Sequence, residues 1–433
     1  MFGHCAVSGG RKQDVDDLYS AKGQERRTGR MIDLLVAGGG YVGLSLAVAV
    51  KTAAPRLQVT LIDGAPDGAW RGDERASAIA AAASSMLDVM GVWQTIAPEA
   101  EPIRRMVITD SKTSDPVRPV FLTFEGNGDA ERPFAHMVPN VALVGALRDT
   151  AASLGIEIRP STTASGFTAD DHAVRLKLAD GGEIEARLLV ACDGVRSKLR
   201  DAAGIKTVNF DYGQSGIVTT VEHERSHEGT AEEHFLPAGP FATLPLKGNR
   251  SSLVWTERTD DANRLIESDD LVFEAELERR FGYKLGALKV VGGRRAFPLG
   301  LTIAREFVAN RFALAGDSAH GIHPISGQGL NLGFKDVAAL AETIVDADRL
   351  GLDIGSLAVL ERYQTWRRFD TVRMGVTTDV LNRLFSNDIP PVRLLRDVGL
   401  GLVDRLTPLK SFFIRQAGAA AGSDPKLLSG KPI

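Results

Sequence analysis

Residues 32–63 constrain the fold of this chain more than any other stretch. Ile32-Asp-Leu-Leu-Val-Ala37 is a short β-rich run, and Gly38-Gly-Gly-Tyr-Val-Gly43 follows it. Leu44 to Ala53 then reads as a small-residue helix with Pro55 beyond its end, and Leu57-Gln-Val-Thr-Leu-Ile-Asp63 reads as a second strand. Strand, helix and strand within about 30 residues predict a parallel crossover, hence an α/β sheet. Gly38, Gly40 and Gly43 form GxGxxG between the first strand and the helix. Glycines there allow a tight turn and close backbone approach to a pyrophosphate. Asp63 ends the second strand 20 residues after Gly43, and an acid at that place suits a ribose 2′-hydroxyl. The pattern predicts an adenine dinucleotide site without separating FAD from NAD.

A second feature lies almost 300 residues later. Arg311-Phe-Ala-Leu-Ala315 reads as a buried strand, followed by Gly316-Asp317, a loop with Gly321, Gly327 and Gly329, and a helix-forming run through Leu340 and Ala341. Asp317 can accept hydrogen bonds from sugar-alcohol hydroxyls. The helix start near Leu330 and Asn331 offers unpaired N–H donors and a partial positive charge. A reduced flavin, negative near N1 and O2, fits all three features.

Arg75, in Asp73-Glu-Arg-Ala-Ser-Ala-Ile79, opens a helix expected over residues 75–97. Its planar fork matches a diphosphate, the plain alternative being a solvated arginine. Asp193 follows the buried strand Ala186–Cys192 and can reach the phosphate and ribose region, with Gly194 permitting a sharp exit and Ser197 and Arg200 stabilising the next turn. Cys192 reads as a small buried residue, not a reactive thiol. His320 and His323 come with no carboxylate or cysteine cluster, so they read as cofactor-loop residues and not as a metal site.

At 433 residues with 44% hydrophobic content, the chain can hold two real cores. A net charge of −4 argues against a nucleic-acid binder, and two cysteines suit a reducing compartment. No apolar run free of glycine reaches a membrane span, and residues 1–30 lack a signal-peptide core, reading as a disordered extension or a mis-called start. A cytoplasmic location is expected. Residues 361–415 carry ten basic against six acidic side chains, interleaved with leucine and phenylalanine. Such a helical region either packs on the sheet with its arginines outward or rests peripherally on the inner face of a membrane or on a partner.

Taken together, these motifs resemble flavoprotein aromatic hydroxylases of the para-hydroxybenzoate hydroxylase type. Within that group the chain looks most like the ubiquinone-biosynthesis hydroxylases UbiH, UbiF and UbiI. His323-Pro-Ile-Ser-Gly-Gln-Gly-Leu-Asn-Leu-Gly-Phe-Lys-Asp336 is close to that family's signature. Asp211-Tyr-Gly-Gln214, Gly239-Pro-Phe-Ala-Thr-Leu-Pro245, Leu253-Val-Trp-Thr256 and Thr378–Asn387 also match, and Ser326 is a small departure.

The resemblance implies bound FAD, with Gly38, Gly40 and Gly43 at the pyrophosphate, Asp63 at the adenosine ribose, Arg75 by the diphosphate and Asp317 by the ribityl chain. Backbone amides from Gly329 through Leu330 to Asn331 would face the flavin pyrimidine. The expected fold is an α/β FAD-binding Rossmann-like βαβ domain (31–104, 139–205 and 301–345). Into it is inserted a mixed β-sheet substrate domain (105–138 and 206–300), and a C-terminal helical region (346–433) follows.

The chemistry implied is hydroxylation of a polyprenylated phenol through a C4a-hydroperoxyflavin, with O2 as oxidant and NAD(P)H or a protein reductant as external donor. No catalytic side chain is required. A ubiquinone-biosynthesis enzyme complex is an implied partner. The competing readings are a soluble hydroxylase of a small aromatic compound and an inactive FAD-stabilised scaffold of a biosynthetic complex.

Overall fold

β1 (Ile32–Ala37) and α1 (Tyr41–Ala53) form where the hydrophobic pattern places them. The strand is buried from its second residue onward, and every helix residue from Gly43 to Val50 is buried. A helix apolar over that length is covered on nearly all sides, which explains its lack of a polar face. β2 (Val59–Ile62) returns parallel to β1, with Leu34 opposite Val59 and Ala37 opposite Ile62. The computed structural model describes Met1 and residues 31–111, 120–125, 133–322, 328–385 and 424–433.

The chain continues through β3 (Ala76–Ala80), α2 (Ala81–Val89), α3 (Trp93–Ile96), β4 (Glu101–Ile103), β5 (Arg105–Asp110), β6 (Val120–Glu125) and β7 (Ala135–Pro139). Then come α4 (Asn140–Ser153), β8 (Glu157–Arg159), β9 (Ala164–Ala169), β10 (Val174–Leu178), β11 (Glu183–Ala191) and α5 (Lys198–Ala202). The central strands are β12 (Thr207–His223), β13 (Thr230–Leu236), β14 (Gly239–Leu246) and β15 (Arg250–Arg258), followed by α6 (Thr259–Glu267) and α7 (Asp270–Phe281). β16 (Leu288–Val290), β17 (Arg295–Ala304), β18 (Val308–Ala309), β19 (Phe312–Leu314) and β20 (His320–Gly321) precede α8 (Gln328–Arg349) and α9 (Leu357–Phe385).

Among the described residues the strands make three sheets. One runs β18-β19-β11-β1-β2-β8, with β9 and β10 attached through β11, and β19, β11, β1, β2 and β8 are mutually parallel. The second runs β20-β17-β12-β15-β14-β13-β5-β6, with β16 on β12. The third is β3-β7-β4. The mixed α/β architecture is the one expected, although the separate three-stranded sheet and helix α6 were not foreseen.

One expectation fails. The run over 75–97 divides: Ala76–Ala80 is strand, and helix begins only at Ala81. β3 pairs antiparallel with β7, Ser77 opposite Val138 and Ile79 opposite His136. Pairing with a partner some 60 residues away overrides the helix preference of alanine. Arg75 therefore stands before a strand and does not open a helix.

Ile32–Ile433 is one compact unit by its contacts. Its largest core joins β1, β11 and β19 to α1, α4 and α8. A second core gathers Phe241, Trp255 and Phe273 under α6 and α7. The last ten residues return to the first core, where Leu427 and Leu428 are buried. There Lys426 N donates to Glu342 Oε2 at 2.8 Å, and Arg349 Nη2 donates to Ile433 O at 2.9 Å. Among the described residues no helix is long and apolar enough to cross a membrane.

Candidate functional site: a cofactor groove at the strand ends

The glycine turn between β1 and α1 is built by close backbone approach. Gly38 has φ +119°, and a Cβ there would lie 2.2 Å from Cys192 O. A Cβ on Gly43 would lie 2.0 Å from Gly38 O. Around Gly40, in contrast, nothing lies within 4 Å of a Cβ position. That open side faces the first turn of α1, where Leu44 N is the first amide bonded within the helix, to Gly40 O at 3.0 Å. The amides of Tyr41, Val42 and Gly43 are thus left without helical acceptors, as an anion site needs. Asp63 lies against Gly39, whose Cβ would overlap its carboxylate, and accepts from Ala65 N at 3.1 Å.

Asp193 enters the same region because β11 runs beside β1. Cys192 N donates to Ala37 O at 2.7 Å, and a Cβ on Gly38 would stand 3.2 Å from Asp193 N. The Asp193 side chain is exposed and accepts from Leu199 N at 3.4 Å. Ser197 caps α5 by accepting from Arg200 N at 3.0 Å. Buried Arg200 donates from Nη1 to both Val195 O and Ser318 O at 3.0 Å, tying this turn to the one at Asp317. Burial, with Asp193 and Asp336 nearby, pushes the Cys192 thiol well up, so it is a poor nucleophile.

Asp317 sits in the short helical turn Gly316–Ser318 after β19. Its side chain is reached by solvent yet ringed by protein. Loss of bulk water raises its carboxyl pKa, while His320 and Arg75 pull the other way. Tyr41, at the first position of α1, is pushed up to about 12 by burial and then by Asp317, with Arg75 opposing. These couplings put Tyr41, Arg75 and Asp317 at one place. Arg75 makes a two-point ion pair with Asp73, holding that carboxyl low against the opposing pull of burial. Its guanidinium also lies over the Phe297 ring, 5.4 Å from the centroid.

α8 starts at Gln328, so its first-turn amides include those of Gly329, Leu330 and Asn331. A Cβ on Gly329 would meet nothing within 4 Å, whereas Leu330 and Asn331 are buried. The Asn331 side chain is occupied by the edge of β3: its Nδ2 donates to Ala78 O at 2.8 Å, and its Oδ1 accepts from Ala80 N at 2.9 Å. Only its backbone is placed for a ligand. Gly327 and His323 lie outside the described residues.

Sequence reasoning gave no role to Tyr41 or Asn140 and did not join His320 to Asp336 and Arg367. Tyr41 lies inside the glycine motif, where only the glycines carried an expected role. Asn140, whose Nδ2 donates to Asp73 Oδ2 at 3.0 Å, joins the site only because β3 pairs with β7. His320 and Asp336 fell within stretches already singled out, but no local signature joins them to each other or to Arg367.

The groove therefore offers free amides and an arginine for a diphosphate and a carboxylate for hydroxyls. A second set of helix-start amides, at the start of α8, could meet an electron-rich ring edge. Those groups fit FAD, and no protein atom crowds the backbone at Gly40 or Gly329.

Comparison with known proteins agrees. The family described as FAD binding domain matches residues 31–368. The chain is 44% identical over 411 residues to a Rhodospirillum rubrum protein named ubiquinone hydroxylase UbiL, covering 93% of this chain and 94% of that one. It is 33% identical to Escherichia coli 3-demethoxyubiquinol 3-hydroxylase, covering 90% of this chain and 99% of that one. Among solved structures, p-nitrophenol 4-monooxygenase PnpA of Pseudomonas putida superposes with a TM-score of 0.71 at 20% identity, covering 90% of this chain and 99% of that one. This chain belongs to the FAD binding domain family, among its UbiH-type FAD-dependent hydroxylases.

Proposed function

We propose that the protein is an FAD-dependent monooxygenase that hydroxylates the aromatic ring of a polyprenylated phenol in ubiquinone biosynthesis. The observation that carries this reading is full-length likeness to ubiquinone hydroxylases in a chain whose cofactor groove is intact from Gly38 to Asp317. Bound FAD supplies the electron transfer and O2 activation. The chain's own residues bind and orient. The α1 amides and Arg75 hold the diphosphate, Asp63 and Asp193 the adenosine side, Asp317 the ribityl hydroxyls, and the α8 amides the pyrimidine edge. β12 and β17, beside Arg75, wall the ring side and keep out water that would divert the oxidant. The electron donor is NAD(P)H or a protein reductant.

The prenyl tail calls for an apolar exit. Phe369, Val372 and Val376 fall on one face of α9 and are 75%, 41% and 56% exposed, with Arg368 beside them. That stripe supports contact with the tail or a membrane surface, and membership of a biosynthetic complex would cover it equally well. Quinone-intermediate profiling by mass spectrometry in a deletion strain tests the function. Accumulation of a precursor lacking one ring hydroxyl is expected; normal ubiquinone would instead favour a hydroxylase of a small aromatic compound.

A further inference from the structure

The Gly316–His320 turn is fastened from behind by one carboxylate. Asp336, in the third turn of α8, has a fully buried side chain. Its Oδ2 accepts from Gly316 N at 2.9 Å and from His320 Nε2 at 2.5 Å, so both ends of the turn converge on a single oxygen. Its Oδ1 accepts from Arg367 Nε on α9 at 2.8 Å. Burial alone would raise this carboxyl, but His320 and Arg367 hold it below the usual range, so it stays an anion and the histidine nitrogen must donate. Arg367 Nη1 donates in turn to Asp370 Oδ2 at 2.9 Å. Two buried charges on neighbouring helices are thus joined to a turn five residues long. Among the three residues between its anchored ends is Asp317, the one carboxylate of the turn, which faces the groove.

We propose that Asp336 is a positioning residue of the cofactor site: by drawing Gly316 and His320 onto α8, it presents the Asp317 carboxylate to FAD. The inference rests on the reading of Asp317 as an FAD contact. A buried, charge-assisted anchor suits this task because a neutral or exposed one would let the turn shift, and small displacements of a binding group are costly. α8 carries both the anchor and the amides assigned to the pyrimidine edge. Asp336 thereby fixes the distance between two parts of the site that lie on separate segments.

A double-mutant cycle on FAD binding to the full-length protein tests this. FAD dissociation constants are measured by flavin fluorescence for wild type, D317A, D336N and the double variant, with far-UV circular dichroism as the folding control. D317A and D336N are each expected to weaken FAD about tenfold, and the double variant by no more than about twofold beyond the worse single one. A merely structural Asp336 would give additive losses, and additivity overturns the inference. If D336N does not fold, H320L carries the same cycle because it leaves the Asp336–Arg367 pair in place. H320Q, which keeps an N–H donor, is expected to restore binding. Wild-type protein that takes up no FAD overturns the FAD reading itself. Wild-type binding that D317A leaves unchanged overturns the role of Asp317 and this inference with it.

Discussion

Arg75 and Asp73 form a two-point ion pair across one intervening residue, Nε to Oδ1 at 2.7 Å and Nη2 to Oδ2 at 2.8 Å. Asn140 steadies the carboxylate from the other side. The pair pre-orients a guanidinium that would otherwise pay rotamer entropy to meet a diphosphate. A lysine cannot reproduce the fork. R75K is expected to weaken FAD by about tenfold to a hundredfold, the range of one charge-assisted contact, in a fluorescence titration.

Gly43 tolerates no side chain, because any Cβ would stand 2.0 Å from Gly38 O. G43A must push α1 off β1 or open the glycine turn. A loss of about 1–3 kcal/mol is expected from overpacking alone, together with purification of largely flavin-free protein. Visible absorbance per polypeptide checks it, and wild-type flavin content in G43A would refute the account.

Tyr41 predicts an alkaline signature. Its hydroxyl is shifted from 10.0 to about 12, so the folded state resists ionisation that the unfolded chain undergoes freely. A raised folded pKa contributes stability fully below pH 10 and loses it as pH rises toward 12. In Y41F that part of the loss should vanish. Denaturation midpoints of both proteins across this window give the comparison, and parallel curves would count against the assignment.

Arg367 is buried and bonded to Asp336 at 2.8 Å. R367M leaves that carboxylate buried without its cation, for an expected loss of about 3–5 kcal/mol. The Asp336 carboxyl would also move upward, so protonation relieves the stranded charge and the stability gap between R367M and wild type should narrow on acidification. Urea denaturation at several pH values measures both effects.

What could be read in the sequence was what local pattern encodes. The βαβ unit, the glycine turn and the acid at Asp317 each follow from residues adjacent in the chain. β3 misled because Ala76-Ser-Ala-Ile-Ala80 has the composition of a helix and becomes strand only by meeting β7. α6 is amphipathic but only nine residues long, short enough to be missed between strands. His320, Asp336 and Arg367 span 48 residues and two helices, and nothing but packing brings them together. Arg75 was read as opening a helix, a backbone setting it does not have.

The burial of Leu427 and Leu428 against α2 and α8 has a consequence for biosynthesis. The parallel sheet opens with residue 32, yet its hydrophobic core is finished by side chains almost 400 residues later, at Leu427 and Leu428. A chain emerging from the ribosome can make β1, α1 and β2 early but must hold that core unsealed until Leu427 and Leu428 are made. Truncation of even ten residues would then act at the opposite end of the polypeptide, exposing surface on elements translated hundreds of codons before.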